Sequence, residues 1–205
     1  MQPKGMGRFL GLSLLALLGL MVPWYFVAEW LAAPALELAG GLMHLFFPTW
    51  AEGVQRSGTV GALITRVGVY IPQQGQLLLA DMTPEVNFLK YGYGVVLLWA
   101  LLLASRPARW LSKIAIGTVA LVPVQAASLC FHWLRDIAFQ GGAKAQMTTH
   151  ITGWQLEAIA FAYQFSFLVL TPLVPVMIWL LLDKGFLQKL LKPEEMHVTA
   201  STSNH

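Results

Sequence analysis

The chain has 205 residues, of which 57% are hydrophobic and only 11% are charged. This balance lies outside the range of ordinary soluble domains and is typical of membrane proteins, whose solvent is the bilayer. The net charge of +3 is too small, and its lysines and arginines are too dispersed, for a nucleic-acid-binding surface, and one cysteine cannot form an internal disulfide or a thiolate metal site.

Four long apolar runs divide the chain. A helix that spans a bilayer needs about 20 largely apolar residues, so the runs predict a mainly α, polytopic membrane protein with four transmembrane helices. The last three predicted spans form a three-helix membrane region at residues 88–182. The four spans cover residues 9–31, 88–105, 114–133 and 154–182.

The first run belongs to a predicted N-terminal membrane anchor, residues 1–31. Basic residues precede it, as in a secretory signal peptide, but the run is longer than the roughly 7–15 apolar residues of a cleaved signal. It ends in Trp24, Tyr25 and Trp30, which are typical of the membrane–water interface. These features favour an anchor helix that is retained.

The predicted extracytoplasmic segment, residues 32–87, changes character midway. Residues 36–47 are apolar but too short to span, which indicates a helix lying in the membrane interface. Residues 59–71 and 77–86 are rich in β-branched and aliphatic residues around the break PQQGQ, a pattern that predicts a β-hairpin. Because an isolated hairpin is marginally stable in water, it should lie on the helical bundle or pair with a strand of a partner.

Basic residues cluster in alternate segments between the spans. Such residues are enriched in cytoplasmic loops, so both termini, the loop between spans two and three, and a polar tail at residues 183–205 are predicted to be cytoplasmic. Eight of the 13 lysines and arginines lie in these segments: Lys4, Arg8, Arg106, Arg109, Lys113, Lys184, Lys189 and Lys192.

Five polar residues recur along the third span and its extension. At about 100° per residue they fall on one helical stripe, and polar side chains in a span usually face a bundle interior, a cavity or a partner. Cys130 sits roughly 170° from the middle of this stripe, so it and His132 do not form a nucleophile and base pair within one regular helix. The stripe consists of Gln125, Ser128, His132, Arg135 and Asp136.

In the fourth span, Glu157, Gln164 and Thr171 recur every seven positions, which also places them on one helix face. A short loop makes the third and fourth spans antiparallel neighbours, and one register pairs Arg135 with Glu157 and sets Ser128 near Gln164. The two faces thus predict an interhelical polar seam. The sequence leaves open whether the seam only packs, binds a ligand or partner, or takes part in catalysis.

The start of the second span, NFLKYGYG, brings Lys90, Tyr91 and Tyr93 together where the chain enters the membrane. Two tyrosines and a lysine suit a membrane interface, and they are also candidates for contact with a partner. Gly92 and Gly94 would permit the close approach of another helix.

Three stretches carry a resemblance to a known family: VNFLKYGYGVVLLWALLLA, LVPVQAASLCFHWLRDIAFQ and AFAYQFSFLVLTPLVPVMIWLLL. They resemble the bacterial exosortase H-associated membrane proteins. The resemblance implies a small inner-membrane protein that works beside an exosortase, a polytopic enzyme that processes proteins with a C-terminal sorting signal. It brings no established biochemical activity to this chain.

Exosortases themselves use a cysteine, an arginine and a histidine on the outer side of the membrane. Cys130 lacks the small-residue setting expected of that nucleophile. The catalytic roles are therefore not transferred to Cys130, Arg135 or His150.

The leading hypothesis is a non-enzymatic accessory subunit of a protein-sorting system, docked to a polytopic, exosortase-like partner in the lipid bilayer. Two alternatives stay open: a cysteine-dependent membrane transpeptidase or protease that uses Cys130, and a small carrier or lipid-handling protein that uses Glu157 and Gln164. We predict no catalytic residue, metal, cofactor or nucleic-acid partner. The sequence leaves self-association open.

Overall fold

The computed structural model describes residues 3–73 and 76–185, which form a helical bundle with two small antiparallel sheets. The helices are α1 (Pro3–Phe46), α2 (Leu89–Ser105), α3 (Trp110–Gln140), α4 (Gly142–Thr149), α5 (Trp154–Phe165) and α6 (Thr171–Leu182), and a π-helical segment, Ser166–Leu170, joins the last two. The strands are β1 (Ala51–Ser57), β2 (Val60–Thr65), β3 (Gly68–Gln73), β4 (Gln76–Asp81) and β5 (Glu85–Asn87).

Helix α1 runs without a break for 44 residues, a length of about 66 Å. The predicted anchor boundary at residue 31 therefore lies inside a continuous helix, and residues 36–46 continue α1 instead of forming a separate helix. Alanine and leucine, both strong helix formers, dominate the sequence beyond this boundary. Leu36, Ala39 and Met43 bury one face of that part of α1 in the protein core.

Three helical stretches in the described part of the chain are long and apolar enough to cross a membrane: Gly7–Phe46, Trp110–Gln140 and Trp154–Leu182. The second predicted span forms α2, which is apolar but has only 17 residues, a length of about 26 Å. A bilayer core is about 30 Å thick. Three of the four predicted spans thus meet the length criterion, and the second falls slightly short.

The strands form two separate antiparallel sheets, β1–β2–β5 and β3–β4. Gly58 makes the turn between β1 and β2 at a φ of 60°, a conformation that glycine adopts without steric penalty. β3 pairs with β4 from Gly68 opposite Asp81 onward. The single hairpin predicted from the sequence is therefore divided between two sheets.

Thr65 separates β2 from β3. Its hydroxyl donates to the carbonyl oxygen of Met82 at 2.5 Å and accepts a hydrogen bond from the backbone N–H of Val67. The bond with Val67, two residues away, is of the local kind that competes with a strand ladder and turns the chain. β1 was not predicted because AEGVQRS is poor in β-branched and aromatic residues, and it forms by pairing with β2.

The three-stranded sheet packs on α1 and α3. Gly61 in β2 faces Leu36 of α1 so closely that a Cβ atom there would collide. Its carbonyl oxygen accepts a 3.3 Å hydrogen bond from Nε1 of Trp133 in α3, the largest of the fully buried side chains. The sheet is therefore attached to the bundle through the main hydrophobic core.

The other end of the bundle carries basic residues. Phe9 of α1 stacks on Trp179 of α6 with ring centroids 5.4 Å apart, and Nε1 of Trp179 donates to Oγ of Ser105 in α2 at 3.1 Å. These contacts bring three helix ends together at what we term the basic end. The predicted tail from residue 186 onward lies outside the described residues. The cations beside these helix ends are Arg8, Arg106, Arg109, Lys113 and Lys184.

The two glycines of α2 allow the close helix packing predicted for them. A Cβ atom at Gly92 would lie 3.0 Å from Cζ2 of Trp24 in α1. At Gly94 it would lie 2.9 Å from the carbonyl oxygen of Thr171 and 3.0 Å from Cγ of Pro175 in α6. Helix α2 is therefore held between α1 and α6 at distances that larger residues would not permit.

Replacing Gly94 by alanine should destabilise the protein by about 1–3 kcal/mol, because the added methyl group overpacks the contact between α2 and α6. Gly19→Ala in α1 is the matched control, since nothing lies within 4 Å of a Cβ atom there. That change should be neutral or stabilise by up to about 1 kcal/mol through helix propensity. Unfolding midpoints in detergent would measure both variants, and equal midpoints would contradict the proposed packing.

Candidate functional site

Helix α3 presents the predicted polar stripe toward its neighbours. Gln125, Ser128, His132 and Asp136 are buried, and the side chain of Arg135 is 38% exposed. These residues meet side chains of α2, α5 and α6. Four of the five stripe residues are therefore buried along α3.

His132 lies at the centre of a polar cluster between α2 and α3. Its Nδ1 is 2.9 Å from the hydroxyl oxygen of Tyr91, and its Nε2 faces Oδ2 of Asp136 at 3.5 Å. We assign the imidazole proton to Nε2, facing the carboxylate, so that Nδ1 accepts the hydrogen bond that Tyr91 donates. All three side chains are buried, and their pairing offsets the free energy that unpaired polar groups would cost there.

Asp136 also binds two neighbours on its own helix. Nη1 of Arg135 lies 2.6 Å from its Oδ1, and Nε2 of Gln140 donates to the same oxygen at 2.9 Å. The guanidinium group of Arg135 lies over the ring of Tyr163 in α5, 4.9 Å from the ring centroid, in a cation–π contact. Together these groups join α2, α3 and α5 at the end of the bundle away from the basic end. We call the following residues the His132 network: Tyr91, His132, Arg135, Asp136 and Tyr163.

The site has little room for a ligand. A cavity of about 10 Å³ lies beside the His132 network and is lined by Gln125, Ser128 and Thr171 among others. Nε2 of Gln125 has no hydrogen-bond partner among the described protein groups. A cavity of this size suits a single water molecule and excludes an organic substrate. Within residues 3–73 and 76–185, no three histidine, cysteine or acidic side chains are grouped to hold a metal ion.

The fourth-span residues of the predicted seam are not brought together. Glu157 and Gln164 are exposed on α5, whereas Thr171 is buried in α6. Arg135 binds within the His132 network, and among the described residues no ion pair joins it to Glu157. The predicted register, which pairs Arg135 with Glu157, is therefore wrong.

Two of the residues that α5 turns toward the bundle each precede a predicted residue by one position. Glu157 and Gln164 each follow an inward residue by one position and so lie about 100° away from it around the helix. The π-helical segment has i to i+5 hydrogen bonds, which span one residue more than the i to i+4 bonds of an α-helix. The next inward residue after Ser166 is therefore Thr171. The inward residues of α5 and the start of the π segment are Leu156, Ile159, Tyr163 and Ser166.

Two prolines account for the π segment and for its contact with α2. Pro172 has no N–H to donate to the carbonyl oxygen of Leu168, and in a regular α-helix its ring would collide with that oxygen. Pro175 likewise leaves the carbonyl oxygen of Thr171 without its helical donor, and Gly94 of α2 lies against this oxygen. The prolines therefore set both the phase of the fourth span and the place where α2 approaches it.

Lys90, Tyr91 and Tyr93 do not form one exposed surface. Lys90 is exposed, Tyr93 is half-buried and Tyr91 is buried within the His132 network. No sequence pattern indicates that Tyr91 is the partner of His132, because the two are 41 positions apart and on different helices.

Cys130 lies on a different side of α3 from the stripe, as its helical phase predicts. Its thiol donates to the carbonyl oxygen of Ala39 in α1 at 3.5 Å. It also lines an apolar groove of about 370 Å³ with Met43 and Phe46. His132 points to α2 instead, so the two side chains do not form a nucleophile and base pair.

A family model described as exosortase H-associated membrane protein matches residues 3–186 of the chain. The matched range contains every helix and strand described above. No curated protein and no solved structure matches the chain.

Proposed function

We propose that the chain, which belongs to the family of exosortase H-associated membrane proteins, is a non-enzymatic accessory subunit of an exosortase-type system that processes surface proteins. In this proposal it sits in the bacterial inner membrane and docks a polytopic partner. Membership of a family named for this association is the observation that carries the proposal.

The proposed topology has four spans. Helices α1 and α3 both begin at the basic end, so α2 must return the chain across the bilayer between them. Its short length is accommodated by local thinning of the bilayer and by snorkelling of Lys90. The basic end then faces the cytoplasm, and the sheets, α4 and the outer parts of α1 and α5 lie outside the membrane.

The sheets, α4 and the outer parts of α1 and α5, which we call the outer module, offer apolar surface to a partner. Leu45 and Phe46 at the end of α1 and Met147 in α4 are 70–71% exposed. Leu45 and Phe46 are neighbours in the sequence, and large apolar side chains exposed next to each other beyond the bilayer usually mark an interaction surface. This surface supports docking rather than a free-standing role.

The His132 network supports a structural role in docking. Its polar groups bind one another, and the adjoining cavity has room only for about one water molecule. A hydrolase, a transpeptidase or a carrier requires space for its substrate beside the reacting groups. The network is better suited to hold the outer ends of α2, α3 and α5 in fixed positions, so that the docking surface keeps its shape.

Co-purification would test the proposal. The chain, tagged and expressed at its native level with the exosortase of the same organism, should bring down that exosortase in near-equal amounts from a mild detergent. A second polytopic protein of the same membrane serves as the control and should be absent. Recovery of the chain alone, as a monomer or only with copies of itself, would refute the docking role.

A further inference from the structure

Exposed apolar residues follow the outward face of α5 and continue into the π segment. Trp154, Phe161 and Leu168 are 76%, 68% and 66% exposed. Glu157 and Gln164 lie three positions after the first two of them and are also exposed. Within α5, where the helix is regular, Trp154 and Phe161 lie seven positions apart and have Glu157 and Gln164 three positions after them, which is the spacing of a helix that packs along another helix. We call these five residues the α5 seam.

The aromatic side chain at the middle of the α5 seam packs against a neighbour on its own helix. The rings of Phe161 and Phe165 stack with centroids 5.9 Å apart and planes 16° apart. Stacking holds the aromatic side chain at the middle of the seam in one orientation, so a partner that binds there loses less side-chain entropy.

The polar members of the α5 seam have no partner within the chain. Among the described residues Glu157 makes no ion pair, and the side chain of Gln164 makes no hydrogen bond. The first turn of α5 favours a carboxylate at Glu157 through the helix dipole, but this does not account for Gln164 or for the exposed rings beside it. Gln164 lies about two turns after Glu157, inside the proposed span, where polar side chains usually face protein rather than lipid.

We infer that the α5 seam docks a helix of the polytopic membrane partner, and that this helix presents a basic side chain opposite Glu157 and an amide or hydroxyl group opposite Gln164. The inference rests on the proposed docking function and assigns its interface. The apolar positions supply the packing, and the two polar positions fix the register of the partner helix.

The charge of Glu157 argues against a second copy of this chain as the occupant. Two copies in one membrane share an orientation, so a twofold axis along the membrane normal would place their α5 helices parallel. Glu157 would then face Glu157 of the other copy, and like charges in contact disfavour association. A helix with a lysine or arginine at this level has the opposite, complementary charge.

Charge reversal tests the interface. Glu157→Lys should reduce the co-purified exosortase by about tenfold or more, and Glu157→Gln should reduce it less, because reversal adds repulsion to the loss of attraction. Glu37→Lys is the matched control, since Glu37 is an exposed glutamate of α1 without an ion pair among the described residues, and recovery should not change. Melting midpoints of the purified variants should equal that of the wild type, because all these positions are exposed.

Photocrosslinking identifies the helix that binds the α5 seam. A benzophenone side chain at position 161 should link to a partner helix that carries a lysine or arginine, and reversing that charge to glutamate should restore recovery of the Glu157→Lys variant. Links between copies of this chain, or equal recovery of partner with Glu157→Lys and with the wild type, would overturn the inference while leaving the proposed function in place. Failure of the wild-type chain to recover any exosortase would overturn both.

Discussion

Replacing Asp136 by leucine should destabilise the protein by about 3 kcal/mol, because the change leaves polar groups of α3 unpaired in a buried site. The carboxylate accepts hydrogen bonds from Arg135 and Gln140 and faces the imidazole of His132. Its side chain is only 11% exposed, so water cannot replace it. Unfolding free energies measured in mixed micelles would give the loss directly.

Two further variants separate the charge from the shape of Asp136. Asp136→Asn keeps one acceptor oxygen and should lose roughly half as much stability. The double variant with Asp136→Leu and Arg135→Met should be more stable than Asp136→Leu alone, because no unpaired guanidinium group is left beside an apolar side chain. If Asp136→Leu matched an exposed control such as Asp81→Asn, which should change stability by less than about 0.5 kcal/mol, the network would have no structural role.

The sequence predicted the α3 half of the candidate site because one regular helix determines it. Gln125, Ser128, His132 and Asp136 follow the 3.6-residue period, and no other element is needed to place them on one side. Tyr91 could not be predicted in the same way. Its contact with His132 depends on the rotation of α2 relative to α3, which packing of whole helices decides.

The prediction for the fourth span failed because of a local change in helix geometry. The seven-residue repeat of Glu157, Gln164 and Thr171 is a true pattern, but it describes one face only if the helix is regular throughout. The π segment before Pro172 changes the phase between Gln164 and Thr171. Proline was a visible signal of a local change in helix geometry, yet its position does not reveal whether the helix kinks or widens.

The structure of the segment that follows residue 31 could not be predicted from sequence patterns, because tertiary contacts determine it. Whether α1 ends or continues there is decided by the core that buries Leu36 and Met43, and this core includes strands distant in the sequence. β1 has weak strand propensity and forms against β2. A sequence pattern identifies strongly apolar helices well, and it is least informative where one element forms only because another covers it.

Trp133 should be the most important single side chain for the attachment of the outer sheet. It is fully buried, and its indole N–H binds the carbonyl oxygen of Gly61 in β2. Replacement by alanine should cost about 3–5 kcal/mol. Because α1 and α3 would still be anchored in the membrane, the sheet should open before the helices unfold, and trypsin should cleave after Arg66 about tenfold faster or more.

Two further variants distinguish the packing of Trp133 from its hydrogen bond. Trp133→Phe keeps most of the buried ring and loses the hydrogen bond, so it should cost about 1–2 kcal/mol. Trp154→Ala removes an indole that is 76% exposed and should change stability by less than about 0.5 kcal/mol. If cleavage after Arg66 were unchanged in Trp133→Ala, Leu36 and its neighbours on α1 would hold the sheet without a contribution from α3. The sheet would then be attached to the bundle through α1 only.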